Sequence, residues 1–446
     1  MKRYATCALA AILYFQSPVF AEITFSGNSF PVITEKPDAS TGLNAVYVVR
    51  GTGGVSISYT AASPAARPTW SIYGTRGGGY AEPIQNVIYN GAVSTLENIT
   101  GDCGYIIEDG GSRTYFWITD YSLHEFSIDN LQVGPDSGCS SVSLDFTGNA
   151  APIYYTTING RQMELPRDIK LTYSTMEFDM DSKSYNYTEP EKTLGHIAGS
   201  ILVDAPLTDT GFRLTGDRFL QQWNEEKEVE TPVYKAIAVQ AYAEAEQTVR
   251  ENDNEQSAGT SGSLGGSAPA EIEFTAWTTD AAVFKEWQIS RDQEFDIIDF
   301  RDNNLVFNHT FREDGNFYVR FAAANADGSC ESYSQTFDVS IGESDLKCPN
   351  AFSPGNADGV NDIWKVSYKS IISFECHIFN RWGQQVCSFS NPADGWDGKY
   401  KGKLAPSGVY YYVIKAKGAD GRNYNLKGDI NIINHDRSQT GTGGHD

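Results

Sequence analysis

Several residue types and motifs are scarce in this chain of 446 residues, and each scarcity narrows the reading. Histidine occurs 6 times and methionine 4 times. The histidines are scattered, and His124, in "HEFSI", lacks the second histidine of a zinc-hydrolase motif. No CxxC pair occurs, which argues against a structural zinc site. A phosphate-cradling glycine loop and a nucleophile elbow are also missing. After the first 21 residues no apolar run reaches about 18 residues, so no membrane-spanning helix is expected. Positive charge is short too. With 34 Lys and Arg against 57 Asp and Glu the net charge is −23, which speaks against nucleic acid and anionic membrane as main partners. No catalytic constellation emerges, and the expectation is a chain that is not an enzyme. Glu177, Asp179 and Asp181 alternate in "MEFDMDSK", a pattern read as a solvated acidic face.

What is present is aromatic and turn-rich. Aromatics make up 13 % of the chain, with 25 Tyr and 23 Phe, and they sit in short alternating runs between glycine turns. The expected fold class is all-β, a tandem array of Ig-like β-sandwiches, with three or four domains as the prior for this length. The opening "MKRYATCALAAILYFQSPVFAE" has a basic end, an apolar stretch over Ala8–Phe15 and a small-residue cleavage site at Val19-Phe20-Ala21. It reads as a secretory signal peptide over 1–21, in which Cys7 has the wrong neighbours for a lipid anchor. Strand-like runs then fill 22–138, a first sandwich, and 139–250, a second. Within "VYKAIAVQAYAEAEQTV" alternation favours a long strand closing the second domain. Residues 251–270, rich in Gly and Ser, read as a flexible linker spanning on the order of 25 Å as a coil.

Without the leader, six cysteines remain: Cys103, Cys139, Cys330, Cys348, Cys376 and Cys387. An even count in an exported chain implies disulfides. Fifteen pairings are possible, and proximity favours Cys103–Cys139, Cys330–Cys348 and Cys376–Cys387. Asn380-Arg381-Trp382-Gly383 reads as a hairpin turn. If Arg381 and Trp382 form the loop, Cys376 faces Cys387 across it, in a bridge of roughly 3 kcal/mol in the chain-entropy model. A bulge at Gly383 would offset the pair.

Residues 271–345 contain "HTFREDGNFYVRF", in which Phe317, Val319 and Phe321 share one face and Tyr318 and Arg320 the other. The run resembles the closing hairpin of PKD domains, small Ig-like sandwiches of surface proteins, although "SRDQEFD" departs from their Asp-rich turn. From Cys348 onward "CPNAFSPGNADGVNDIW", "FECHIFNRWGQQV", "GWDGKYKGK" and "PSGVYYYVI" follow in order. Together they resemble the gliding motility-associated C-terminal domain, the type B sorting domain of the type IX secretion system. The match covers about 85 residues, assigned to 346–434, and leaves 435–446 as a disordered tail. The motif residues are Arg381, Trp382, Gly383, Trp396, Asp397, Gly398, Gly408 and Tyr410.

In "AFSPGNADGVNDIW", Asn356, Asp358, Asn361 and Asp362 offer hard oxygen ligands at close spacing, and Ca2+ is the candidate ion. The spacing is not that of an EF-hand, and the plainer reading is an Asx-rich turn capping its own backbone. Over 346–434 there are 11 Lys and Arg against 7 Asp and Glu, so this module is basic on an acidic body. Lys399, Lys401 and Lys403 alternate, as on one strand face or as on an edge strand that lysines keep from aggregating.

The resemblance implies export to the periplasm, then passage across the outer membrane by the type IX machinery, with an outer-membrane β-barrel partner handling the C-terminal domain. The destination is the cell surface or the medium, and the body is read as an adhesin or binding module for an unidentified protein or glycan. The rival readings are a displayed glycan-binding protein or enzyme subunit, and a structural subunit held by the barrel partner.

Overall fold

The computed structural model describes residues 22–433 apart from 62, 64, 66, 257–262 and 356–357. The expected signal peptide, the expected tail and Asn356 lie outside the described residues. The fold is all-β, at 52 % strand and 3 % helix, arranged as four successive sandwiches.

In the first, a four-stranded sheet containing Glu22–Ser26, Ser56–Thr60, Val93–Leu96 and Ile88–Asn90 faces a six-stranded one. At the centre of the larger sheet, Ala45–Val49 runs parallel to the end of Ser112–Asp120. Parallel strands are stable when both faces are covered, and both faces are covered here. Val49, Phe116 and Ile118 point into the first sandwich beside Ile57, Trp70 and Tyr105. Val46, Val48 and Trp117 point the other way, into a core shared with Phe126, Leu131, Leu144, Phe219 and Trp223 of the second sandwich. The six-stranded sheet therefore lends one face to each of two cores, the first sandwich's own and that of the second.

The second sandwich pairs the sheet Ser127–Val133, Ser141–Asn149, Ile201–Asp204 with the sheet Glu191–Leu194, Ile169–Thr172, Arg213–Gly216, Lys227–Glu230. A buried ion pair staples it to the first. Arg167 donates to Asp217 at 2.7 Å, to the His124 carbonyl at 2.6 Å and to the Ala151 carbonyl at 2.7 Å. Asp217 also accepts from the Tyr121 hydroxyl at 2.9 Å and caps the short helix Arg218–Gln222 through the Phe219 and Leu220 amides. With its polar atoms met this way, the pair tolerates full burial.

In the third sandwich Ala241–Gln247, Ala270–Thr278 and Val306–Phe311 form one sheet. The strand foreseen within 233–249 thus exists as Ala241–Gln247, but it opens this unit by pairing with Ala270–Thr278 and does not close the second. The run compared with a PKD closing hairpin divides between two sheets. Val306–Phe311 pairs with Ala270–Thr278, whereas Gly315–Ala324 pairs with Phe284–Ser290 and Phe337–Ile341. Phe317, Val319 and Phe321 do point inward, onto Trp287 and Phe274.

The cysteine pairing by proximity is overturned. The disulfide is Cys139–Cys330, linking the second sandwich to the third over 191 residues of sequence. Cys103, Cys348, Cys376 and Cys387 are free thiols. Proximity failed because the fold sets the partner. Cys103 is enclosed in the first core, where burial pushes its thiol up to about 12, while Cys139 sits on the loop that meets the third sandwich. Cys376 and Cys387 are offset by a bulge: Cys376 lies opposite Phe389, Cys387 opposite Ile378, and Phe379 opposite Gln385.

The described parts of 251–270 do not behave as a free linker. The Asn254 side-chain amide donates to the Val366 and Pro392 carbonyls at 2.8 Å each, and its backbone carbonyl accepts from the Tyr368 amide. The Gln256 amide bonds the Tyr368 carbonyl at 2.7 Å, and Leu264–Gly266 pairs parallel to Phe337–Ile341. Gly/Ser content suggested coil, but the side-chain amides of this stretch match backbone groups on the fourth sandwich.

Candidate docking groove on the C-terminal sandwich

The fourth sandwich is built on a five-stranded sheet in the order Ala351–Phe352, Asn423–Ile432, Gly408–Gly418, Ile371–Phe379, Gln385–Phe389. Alternation along the central strand puts Tyr410, Ile414 and Ala416 in the core and leaves Val409, Tyr411 and Val413 exposed. The motif residues fall into two groups, those that hold the frame and those that face outward.

Trp396 belongs to the frame. It is 1 % exposed, packs edge-on to Tyr410 at 5.0 Å and lies 5.4 Å from Phe352. Its indole N–H donates to the Lys399 carbonyl at 2.9 Å. Asp397 accepts from the Lys399 amide and from its ammonium, which holds the carboxyl below the usual carboxylate range. Gly398 has φ +73, and a Cβ there would meet Pro354 Cγ at 2.5 Å. The Tyr410 hydroxyl donates to the Pro406 carbonyl at 3.1 Å.

Two loops project from this frame. At the hairpin tip, the Asn380 carboxamide oxygen accepts from the Trp382 and Gln384 amides at 3.0 Å each, and Gly383 takes φ +77. That turn leaves Trp382 75 % exposed, with the Arg381 guanidinium 4.3 Å from its ring centroid. The second projection is a small hairpin of Lys399–Tyr400 against Lys403–Leu404. Lys401 (φ +51) and Gly402 (φ +78) form its two-residue turn, both left-handed as a primed turn requires. Gln384 ties the two loops by donating to the Tyr400 hydroxyl at 2.8 Å.

Between them runs an open groove of about 670 Å³, lined by Arg381, Trp382, Val386, Tyr400, Lys401, Lys403, Leu404 and the stretch Ala405–Tyr410. Residues from "NRWG", "GKYKGK" and "PSGVYY", separate in sequence, meet here. The alternating lysines do not share a face: Lys399 is spent on Asp397, while Lys401 and Lys403 line the groove with Arg381. Among the described residues no carboxylate lines it. An exposed indole and three cations on one concavity suit an extended segment that carries apolar and acidic side chains.

The Asn/Asp loop caps itself. Asp362 accepts from the Gly359 amide at 2.8 Å and Asp358 from the Val360 amide at 2.9 Å. One Asp362 oxygen is enclosed without a hydrogen-bond partner, and Asn361 has φ +54. Among the described residues no group of three His, Cys, Asp or Glu is placed to hold a metal ion. Elsewhere, the strand Thr175–Asp179 ends before Asp181, and Asp179 caps the Asp181 and Ser182 amides, so Glu177 and Asp179 share a strand face that Asp181 leaves. Sequence reasoning missed the Arg167–Asp217 pair. Neither residue stands in a motif, and an Arg directly after a Pro gave no sign of full burial.

Residues 346–432 match the model of the CHU_C type IX secretion signal domain, and residues 132–231 match that of a fibronectin type III domain. No curated protein matches the chain. Among solved structures, a tetra-tandem repeat from the extending region of a large adhesion protein aligns over 86 % of this chain and 96 % of its own, at 13 % identity and a TM-score of 0.22. The signal domain implies export to the cell surface or secretion, and no helix among the described residues is long and apolar enough to cross a membrane. The two matched domains point to a non-catalytic protein.

Proposed function

We propose that this chain is a surface-displayed binding protein whose C-terminal sandwich is gripped at the Trp382 groove by the type IX export machinery. The observation that carries the reading is the convergence of three separate sorting-domain motifs on one concave, basic, aromatic surface. Residues needed only for folding would be expected inside, as Trp396 is; Trp382 is held outside by a turn built around Asn380. The partner at this groove is an outer-membrane component of that machinery, presenting an acidic and apolar segment. The three sandwiches ahead of it are passenger, with a net charge far to the acidic side, and they act by binding a protein or glycan at the surface.

The test separates grip from fold. A variant carrying Trp382→Ala, Lys401→Glu and Lys403→Glu is expected to keep the melting temperature of the parent, because all three side chains face the groove. It is expected to accumulate in the periplasm. Normal surface delivery of the folded variant would defeat the role given to the groove. Normal delivery of a chain lacking 346–446 would defeat the export route itself.

A further inference from the structure

Cys139 lies on the loop between Ser127–Val133 and Ser141–Asn149, in the second sandwich. Cys330 lies just before Glu331–Tyr333, in the third. Their disulfide closes a loop of 191 residue steps, with the two Cα atoms 5.4 Å apart. That loop holds most of the second sandwich, the 251–270 segment and most of the third. The same junction is pinned at a second place. The hairpin Thr175–Asp179 with Ser184–Thr188 reaches across to the third sandwich, where Phe178 stacks on Tyr242 at 4.1 Å and sits 5.7 Å from Trp277. Lys183, in the turn of that hairpin, pairs with Glu244.

A chain displayed through its C-terminal module and holding a ligand through its N-terminal part is pulled from both ends. We infer that the Cys139–Cys330 bridge is a mechanical bypass that keeps residues 140–329 out of the line of tension. Force entering at the first sandwich reaches Cys139 and crosses through the two sulfurs to Cys330. It then continues into the fourth sandwich. The enclosed residues cannot lengthen the tethered chain even when their own strands are stripped. The aromatic clamp and the Lys183–Glu244 pair hold the two sandwiches in register while the covalent link carries the pull. The inference rests on surface display only for the source of the tension; the link itself is a property of the folded chain.

The experiment is single-molecule extension of the purified mature chain, tethered at its two ends, with and without a thiol reductant. Fully extended, the enclosed loop is worth 191 steps of roughly 3.4 Å, about 650 Å of contour. The oxidised protein is expected to reach a total unfolded length about 650 Å shorter than the reduced one. A Cys139→Ser, Cys330→Ser variant should show the long contour without reductant. Equal contour lengths in oxidised and reduced protein would overturn the proposal. So would non-reducing peptide mapping that finds Cys139 and Cys330 as separate thiol peptides. Should the double variant fold poorly, the reductant comparison on the parent chain still decides. Because the purified chain is pulled, a failure of the export reading would leave this result unaffected, and the reverse holds too.

Discussion

The buried guanidinium of Arg167 shows what single residues contribute here. Its donors are met by one carboxylate and two backbone carbonyls, and Asp217 meets a phenol and a helix end in return. Removing one partner leaves the other charge enclosed, at a cost of about 3–5 kcal/mol. Asp217→Ala is therefore expected to lose that much in urea unfolding, whereas Arg213→Ala, half-exposed beside Glu228 and Glu230, should lose under about 1 kcal/mol. Equal losses would mean that the buried network is not what joins the first two sandwiches. His309 gives a pH signature. It packs on Phe311 at 4.6 Å, with Phe300 and Phe307 close by, and burial lowers its pKa below that of a free histidine. The unfolded chain therefore takes up the proton first as pH falls. Its stabilising effect is complete above about pH 6.5, the ordinary histidine value, and is lost as pH drops toward the depressed folded value. In unfolding titrations from pH 7.5 to 5.5, His309→Gln should show a shallower fall in stability than the parent. An unchanged slope would remove His309 as a source.

At the scale of elements, turns with left-handed residues decide the shape of the groove. Gly398 and Gly402 have nearly the same φ, yet a Cβ at Gly398 meets Pro354 at 2.5 Å and one at Gly402 meets nothing within 4 Å. Gly402→Ala should cost about 1 kcal/mol, from backbone conformation alone. Gly398→Ala adds a clash inside a packed corner and should cost about 2–4 kcal/mol in total. Denaturant unfolding compares the two, and identical losses would show that Pro354 yields freely. The motif residues around these turns were legible because turn chemistry and period-2 alternation are local: the hairpin turn at Asn380-Arg381-Trp382-Gly383 could be read from the sequence. So could the inward set Phe317, Val319, Phe321. The register of Ile371–Phe379 with Gln385–Phe389 could not, since the bulge after Ile378 depends on how the whole sheet twists. Nor could the partner of Cys139, which is 191 residues away and set by how two sandwiches meet. The docking of Asn254 was hidden for the same reason, because its acceptors are carbonyls of Val366 and Pro392, about which the local sequence says nothing.

For the molecule as a whole, the decisive feature is the sheet shared by the first two sandwiches. Alternate residues of Ser112–Asp120 serve two cores: Phe116 and Ile118 one, Trp117 the other. Independent domains joined by a linker would unfold separately, but units with a common buried sheet lose both cores together. Trp117 is 2 % exposed and lies 6.1 Å from Tyr73 on the side facing the second sandwich. Trp117→Ala should cost about 3–5 kcal/mol. The informative readout is native-state hydrogen exchange, strand by strand. Amides of Ser56–Thr60, which never touch the second core, and of Ser141–Asn149, which never touch the first, are expected to lose protection by the same factor in the variant. Amides of the central strand Gly408–Gly418 in the fourth sandwich should keep the parent's protection. Were Ser141–Asn149 alone to exchange faster, the middle sheet would be a contact between two domains and not a common layer, and the passenger would have a hinge near residue 126 where the shared core now forbids one.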